Sequence, residues 1–107
     1  MRDSVDRLYK TKRWRRLRQA ILIRDSYLCQ ESKRYGRSVS ADVVHHITPA
    51  KDDPTRFFDP DNLVSLSAKE HEQMHDRITD ELTSKGKRLQ REIERRLERK
   101  PPYKIKT

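Results

Sequence analysis

Cysteine occurs once in this 107-residue chain, as Cys29, and glycine only twice. One thiol excludes an internal disulfide and cannot by itself build a cysteine metal knuckle. Hydrophobic residues make up 32% of the chain and tryptophan occurs once, leaving material for a thin core and no large buried pocket. Long apolar runs are lacking as well. The start, "MRDSVDRLYK", has no hydrophobic leader region, and no stretch nears the length needed to span a bilayer. These absences predict one soluble domain over residues 1–107, cytoplasmic, with no membrane partner.

Charge is what the chain has in abundance. Asp, Glu, Lys and Arg form 40% of it and the net charge is +9, which points to a polyanionic partner such as nucleic acid. The distribution is uneven. Residues 1–40 hold 12 Lys/Arg against 4 Asp/Glu, residues 41–80 hold 4 against 9, and residues 81–107 hold 10 against 4. Two basic flanks thus bracket an acidic centre that contains all four histidines, the pattern of a phosphate-gripping body around a cation site.

The spacing of Trp14, Leu17, Ile21 and Leu22 within "TKRWRRLRQAILIRD" predicts an amphipathic helix from Thr11 to Asp25 with a basic outer face. Residues 26–40, with turn formers and Gly36, read as a loop. The β-branched run in "ADVVHHI" predicts a short strand carrying His45 and His46, and "LVSLS" a second one. Between them Pro49, Pro54, Pro60 and four aspartates mark a long loop ending at Asn62, of the kind that often carries function. Ser67 followed by Glu70 is a capping-box pattern that starts a helix over His71 and His75, with Met74, Ile78 and Leu82 continuing its apolar stripe. Past Gly86, Leu89, Ile93 and Leu97 predict a long polar helix to about residue 100, able to dock on the domain, pair with a second copy or lie along DNA. Pro101 and Pro102 then open a flexible tail over residues 101–107.

The chemistry concentrates in "HH" and "HEQMH". On a helix, His71 and His75 fall one turn apart on one face, and a histidine from a neighbouring strand adds a third imidazole, leaving coordination positions open for water or phosphate. Adjacent strand residues point to opposite sides, so His45 and His46 do not share one metal. If one is a ligand, the other is free to act as a general base, a task imidazole suits near neutral pH. An amide such as Asn62 can hold that second imidazole or its strand. Taken alone, "HEQMH" also spells a zinc-peptidase motif with Glu72 as base, but that reading explains neither "HH" nor the positive charge.

"VVHHITP" followed by "DPDNLVSLSAKEHEQMH" resembles the core of the HNH endonucleases, most closely the colicin DNase type, and "YKTKRWRRLRQAILIRDSYLCQES" is similar to the lead-in of small phage and bacterial members. The resemblance covers about residues 9–77. It implies an α+β fold with a ββα-metal core of two short antiparallel strands and a helix, flanked by the basic N-terminal helix and a long polar C-terminal helix over about residues 78–100. It further implies one divalent metal ion (Mg, Mn, Ni or Zn) on His45, His71 and His75, with His46 as general base and Asn62 orienting His46 and bracing the loop. The substrate implied is DNA, gripped by candidates Arg13, Arg15, Arg16, Arg18, Arg37 and Lys51, and the setting phage DNA packaging or processing beside terminase proteins in the bacterial host cell. A silent, metal-stabilised DNA-binding or packaging module is the alternative.

Many small members also carry two C-x-x-C pairs that hold a structural zinc. Here the corresponding stretches read "CQES" (Cys29 to Ser32) and "SAKE" (Ser67 to Glu70), so no structural zinc is expected. The fold is then expected to rest on packing alone, around Trp14, Leu17, Ile21, Val44, Ile47, Leu63, Leu66 and Met74.

Overall fold

A computed structural model describes residues 2–98; the expected tail at 101–107 and helix end near 100 lie outside the described residues. Helix α1 (Arg2–Leu8) precedes α2 (Lys12–Arg24) and the short α3 (Gln30–Arg34). Strand β1 (Val43–His46) and strand β2 (Leu63–Leu66) form an antiparallel pair, followed by α4 (Ala68–Glu72) and α5 (Ser84–Glu98). The register sets His45 opposite Val64 and His46 opposite Leu63.

Helix α2 forms where its apolar spacing predicts. Thr11 caps it by accepting from the Trp14 backbone N–H, and Trp14, Ile21 and Leu22 are its buried residues, with Leu17 packed at the margin. These side chains cover one face of the sheet together with Val44, Leu63 and Phe57. Phe57 comes from the long loop, is almost wholly buried, and escaped the expected core list. Its burial removes a large apolar side chain from water, worth about 1.5–3 kcal/mol. Two turns of 3₁₀-helix, Pro54–Arg56 and Pro60–Asn62, give that loop its shape.

The other face of the sheet is covered by Ile47, Val64, Leu66, Met74, Cys29 and Leu89. Leu89 belongs to α5, so of the three fates open to that helix the structure takes docking on the domain, with Ile93 packed beside it.

Five expectations need correction. Helix α1 is not among the predicted elements, although Val5 and Leu8 pack against the α2 cluster. Residues 26–40 are not a plain loop, since α3 occupies Gln30–Arg34 and Leu28 bridges Ser40. The helix carrying His71 stops at Glu72 instead of running on through Ile78. Past that end, Asp76 takes the backbone N–H groups of Ile78 and Thr79 on its own carboxylate, a local side-chain bond that competes with any continuation of the helix. The chain turns back so that His75 bridges Leu82, and Ile78 is 94% exposed instead of continuing an apolar stripe. Finally, packing does not hold the fold alone. Helix α5 is also tied by ion pairs: Arg88 to buried Glu31, Arg34 to Glu92, and Lys85 to Glu70. Gly86 lies inside α5 and not before it, and its lack of a side chain is needed there, since a Cβ would collide with the Met74 carbonyl oxygen.

Cys29, Ser32 and Ser67, three of the four positions that match the C-x-x-C pairs, come together. Burial pushes the Cys29 thiol up, but hydrogen bonds to Ser32 and Ser67 outweigh it and leave the thiol below its ordinary range. The fourth position, Glu70, turns to Lys85.

Candidate metal centre and active site

Strand pleating separates the paired histidines as predicted. His45 faces α4, where its ring lies 5.2 Å from the ring of His71 and 5.3 Å from that of His75. One nitrogen from each of the three falls within 4.8 Å of the others. His71 comes from α4 itself and His75 from the turn after it, so the pair converges although the helix does not reach the second histidine.

His45 is 1% exposed, and neither of its ring nitrogens has a hydrogen-bond partner. A buried polar atom left unpaired costs about 1–3 kcal/mol, and a native fold keeps one for a reason. Burial first, and then the neighbouring His71, His75 and His46, hold the His45 pKa well below 6.5. His71 is lowered too, mainly by burial and by His75. Neutral imidazoles with free lone pairs facing one another are the chemistry of a divalent-metal site. The donor set therefore fits the ion that the sequence implies.

His46 is in the opposite state. Its ring stacks on Trp14 at 5.2 Å and packs against Phe57 at 4.6 Å. Nε2 lies 3.0 Å from the Phe57 carbonyl oxygen and Nδ1 lies 3.3 Å from the Tyr9 hydroxyl. A carbonyl can only accept, so Nε2 carries the proton. Burial lowers the His46 pKa despite the Phe57 carbonyl, which leaves Nδ1 as the basic atom, accepting from Tyr9.

Asn62 is fully buried, and its amide hydrogen bonds go to the backbone of Thr48 and Arg56. Its Oδ1 accepts from the Thr48 backbone N–H at 2.8 Å, and Nδ2 donates to the carbonyls of Thr48 at 3.1 Å and Arg56 at 3.3 Å. It thus pins the loop immediately before Phe57. Any orienting influence on His46 then runs through that backbone, in keeping with the bracing of loop and strand that the sequence reading assigned to this amide.

Two of the six basic candidates line the cleft that holds the histidines, Arg18 and Lys51. Arg18 donates to the Asp42 carbonyl and Lys51 to Glu81. Arg13 lies over the Phe58 ring, Arg15 donates to the Lys10 carbonyl, and Arg16 is exposed on α2. Arg37 sits after α3, away from the cleft. Tyr9, Asp6 and Asp80 also line the cleft and were missed. Tyr9 follows Val5 and Leu8 at helical spacing, which is the signal that marked the unexpected α1.

Two antiparallel strands and a helix around converging imidazoles define a ββα metal-binding fold. No family model matches the chain, and no curated protein matches it. Among solved structures it is similar to the HNH endonuclease of the deep-sea thermophilic bacteriophage GVE2 with manganese ion, at TM-score 0.65 and 35% identity, over 66% of this chain and 77% of that one. The chain belongs to the HNH endonuclease family. Among the described residues, no helix is long and apolar enough to cross a membrane.

Proposed function

We propose that the chain is a metal-dependent endonuclease that hydrolyses DNA phosphodiester bonds, with His46 as general base and His45, His71 and His75 holding one divalent ion. The observation that carries this is the split of two adjacent histidines into opposite states, one without partners beside two more imidazoles and one held with a defined basic atom. A site that only stabilised the fold would have no use for the second.

In this reading His46 takes a proton from water at Nδ1, the water oxygen attacks phosphorus, and the bond from phosphorus to the 3′ oxygen breaks. The products carry 5′-phosphate and 3′-hydroxyl ends. Bound at the three imidazoles, the ion would supply Lewis-acid polarisation of the phosphate and stabilise the leaving oxygen. Trp14, Phe57 and the Phe57 carbonyl keep the base ring from rotating, and Asn62 holds the backbone that presents this carbonyl. Tyr9 occupies Nδ1 without substrate and must yield that position to the water. Arg18 and Lys51 line the cleft and in this reading contact phosphates flanking the scissile bond, which positions a backbone without reading sequence. Manganese in the phage relative makes manganese the first ion to try, and the phage origin of that relative supports a phage setting, for which our reading is DNA packaging or processing in a bacterial host.

The test is nicking of supercoiled plasmid across Mg²⁺, Mn²⁺, Ni²⁺ and Zn²⁺. Cleavage should need added metal, stop with EDTA, and vanish in His46→Ala while metal binding persists. Metal-independent cutting, or a fully active His46→Ala protein, would sink the proposal.

A further inference from the structure

A base alone does not aim a nucleophile. Water that gives one proton to His46 Nδ1 can still turn about that hydrogen bond, and only one orientation points a lone pair at phosphorus. We propose that Tyr9 is a further catalytic residue, whose hydroxyl leaves Nδ1 as water arrives and donates to the water oxygen, holding it in line. The proposal rests on His46 being the base, and adds to that reading the group that orients the water.

Tyr9 is the only side-chain hydroxyl among the described residues lining the cleft, and it lies 3.3 Å from Nδ1, the atom left basic by the Phe57 carbonyl at Nε2. That nitrogen has one in-plane lone pair, so hydroxyl and water cannot both donate to it. The water oxygen can serve both groups. While one of its protons goes to Nδ1, its two lone pairs are left for phosphorus and for a donor. At 3.3 Å the resting hydrogen bond is long, and therefore weak and readily exchanged. Two hydrogen bonds of about 2.8 Å meeting at a tetrahedral water span about 4.6 Å, so the hydroxyl has to withdraw by only about 1.3 Å.

The surroundings permit a movement of that size. The Tyr9 ring stands edge-on to Trp14 at 5.3 Å and to Phe57 at 4.9 Å, the same two rings that flank His46. Base and donor thus lie on one aromatic bed. Tyr9 itself belongs to the short link between α1 and α2, so its backbone can shift without unwinding either helix. Burial first, and then the charges of Asp6 and Asp80, hold the phenol above its ordinary pKa of 10.0, which keeps the proton it donates. No proton passes through Tyr9. The water proton goes to His46, the bond from water oxygen to phosphorus forms, the bond to the 3′ oxygen breaks, and the phenol ends as it began.

The test is steady-state nicking of supercoiled plasmid with Mn²⁺ by Tyr9→Phe, which keeps the ring and removes only the hydroxyl, beside the parent and His46→Ala. Turnover (kcat) should fall about three- to tenfold, the range of one neutral hydrogen bond, with KM for plasmid and affinity for Mn²⁺ within about twofold of the parent. A hydroxyl that only packs would move the melting temperature and leave kcat alone. A kcat within about twofold of the parent, or a loss confined to KM, overturns the proposal. Faster turnover overturns it too, since that marks a hydroxyl that merely blocks the base. Unchanged kcat in Tyr9→Phe beside an inactive His46→Ala leaves the nuclease reading standing without this one, whereas an active His46→Ala, or a parent that does not nick, overturns both.

Discussion

The two faces of β1 hold the same side chain under opposite conditions. On one, His46 has a partner for each nitrogen and aromatic rings on its flanks; on the other, His45 is equally buried and has no hydrogen-bond partner at all. The first arrangement fixes a tautomer and an orientation, which is what proton transfer needs. The second leaves lone pairs exposed only to two other histidines, which is what metal binding needs. One residue of strand pleating puts a repeated letter into two environments.

Substitution at the two positions should break this comparison most visibly. His46→Ala is expected to lower nicking about 10²- to 10⁴-fold, the range of general base catalysis, while the protein still gains melting temperature on adding metal. His45→Ala should lose cleavage and that gain together. For the parent, metal at about a hundred times its dissociation constant is expected to add about 2.7 kcal/mol, removed by EDTA. Calorimetric melting of both variants with and without Mn²⁺ reads all of this, and a His45→Ala protein still stabilised by metal would contradict the assignment.

The covered faces of the sheet differ as well. The α2 face is packed mainly by apolar and aromatic side chains, whereas α5 reaches the opposite face with ion pairs around Leu89. Glu31 is 1% exposed and Arg88 is its ion-pair partner. Arg88→Ala should therefore cost about 3 kcal/mol, the low end for stranding a buried charge, because the arginine itself is partly exposed. Adding Glu31→Gln to that variant should recover much of the loss in urea unfolding. If Arg88→Ala alone costs under about 0.5 kcal/mol, the clamp is only a surface pair.

What could be read from the residues follows the same division. The α2 stripe, both strands, the Ser67 cap and the histidine pattern were legible because apolar periodicity and ligand spacing are local signals. Phe57 was not, since a single aromatic in a Pro- and Asp-rich loop has no periodicity to reveal its burial. Ile78 misled for the reverse reason: it completes a helical stripe on paper, but the helix stops at Glu72 and the Asp76 carboxylate takes the Ile78 N–H. Arg18 and Lys51 could not be told from Arg15, Arg16 or Arg37, because only the tertiary fold decides which cation reaches the cleft.

A smaller effect distinguishes the join between α2 and β2. Burial pulls the Asp25 pKa up, but hydrogen bonds from Arg24 and Ser65 outweigh it and leave it below the ordinary 3.8. A carboxyl lowered in the folded state stabilises above its unfolded pKa, and this contribution is lost as pH falls through the folded value. Stability should thus decline below about pH 3.8 more steeply in the parent than in Asp25→Asn, as followed by circular dichroism. Identical acid slopes would show that Asp25 gains nothing from its contacts.

The smallest expected change belongs to Glu72, one residue from the proposed ligand His71 and the base that a zinc-peptidase reading of "HEQMH" requires. It is exposed on α4, outside the lining of the cleft, whereas His71 beside it turns inward. Its charge reaches His71 only as a minor influence, behind burial and His75. Glu72→Ala should therefore leave plasmid nicking within about twofold of the parent, a loss far below the 10²-fold that removing a general base brings. A peptidase makes the opposite forecast: casein hydrolysis would be present, would collapse in Glu72→Ala and would survive His46→Ala. The two substitutions, run on both substrates, place the base either on the strand or on the helix.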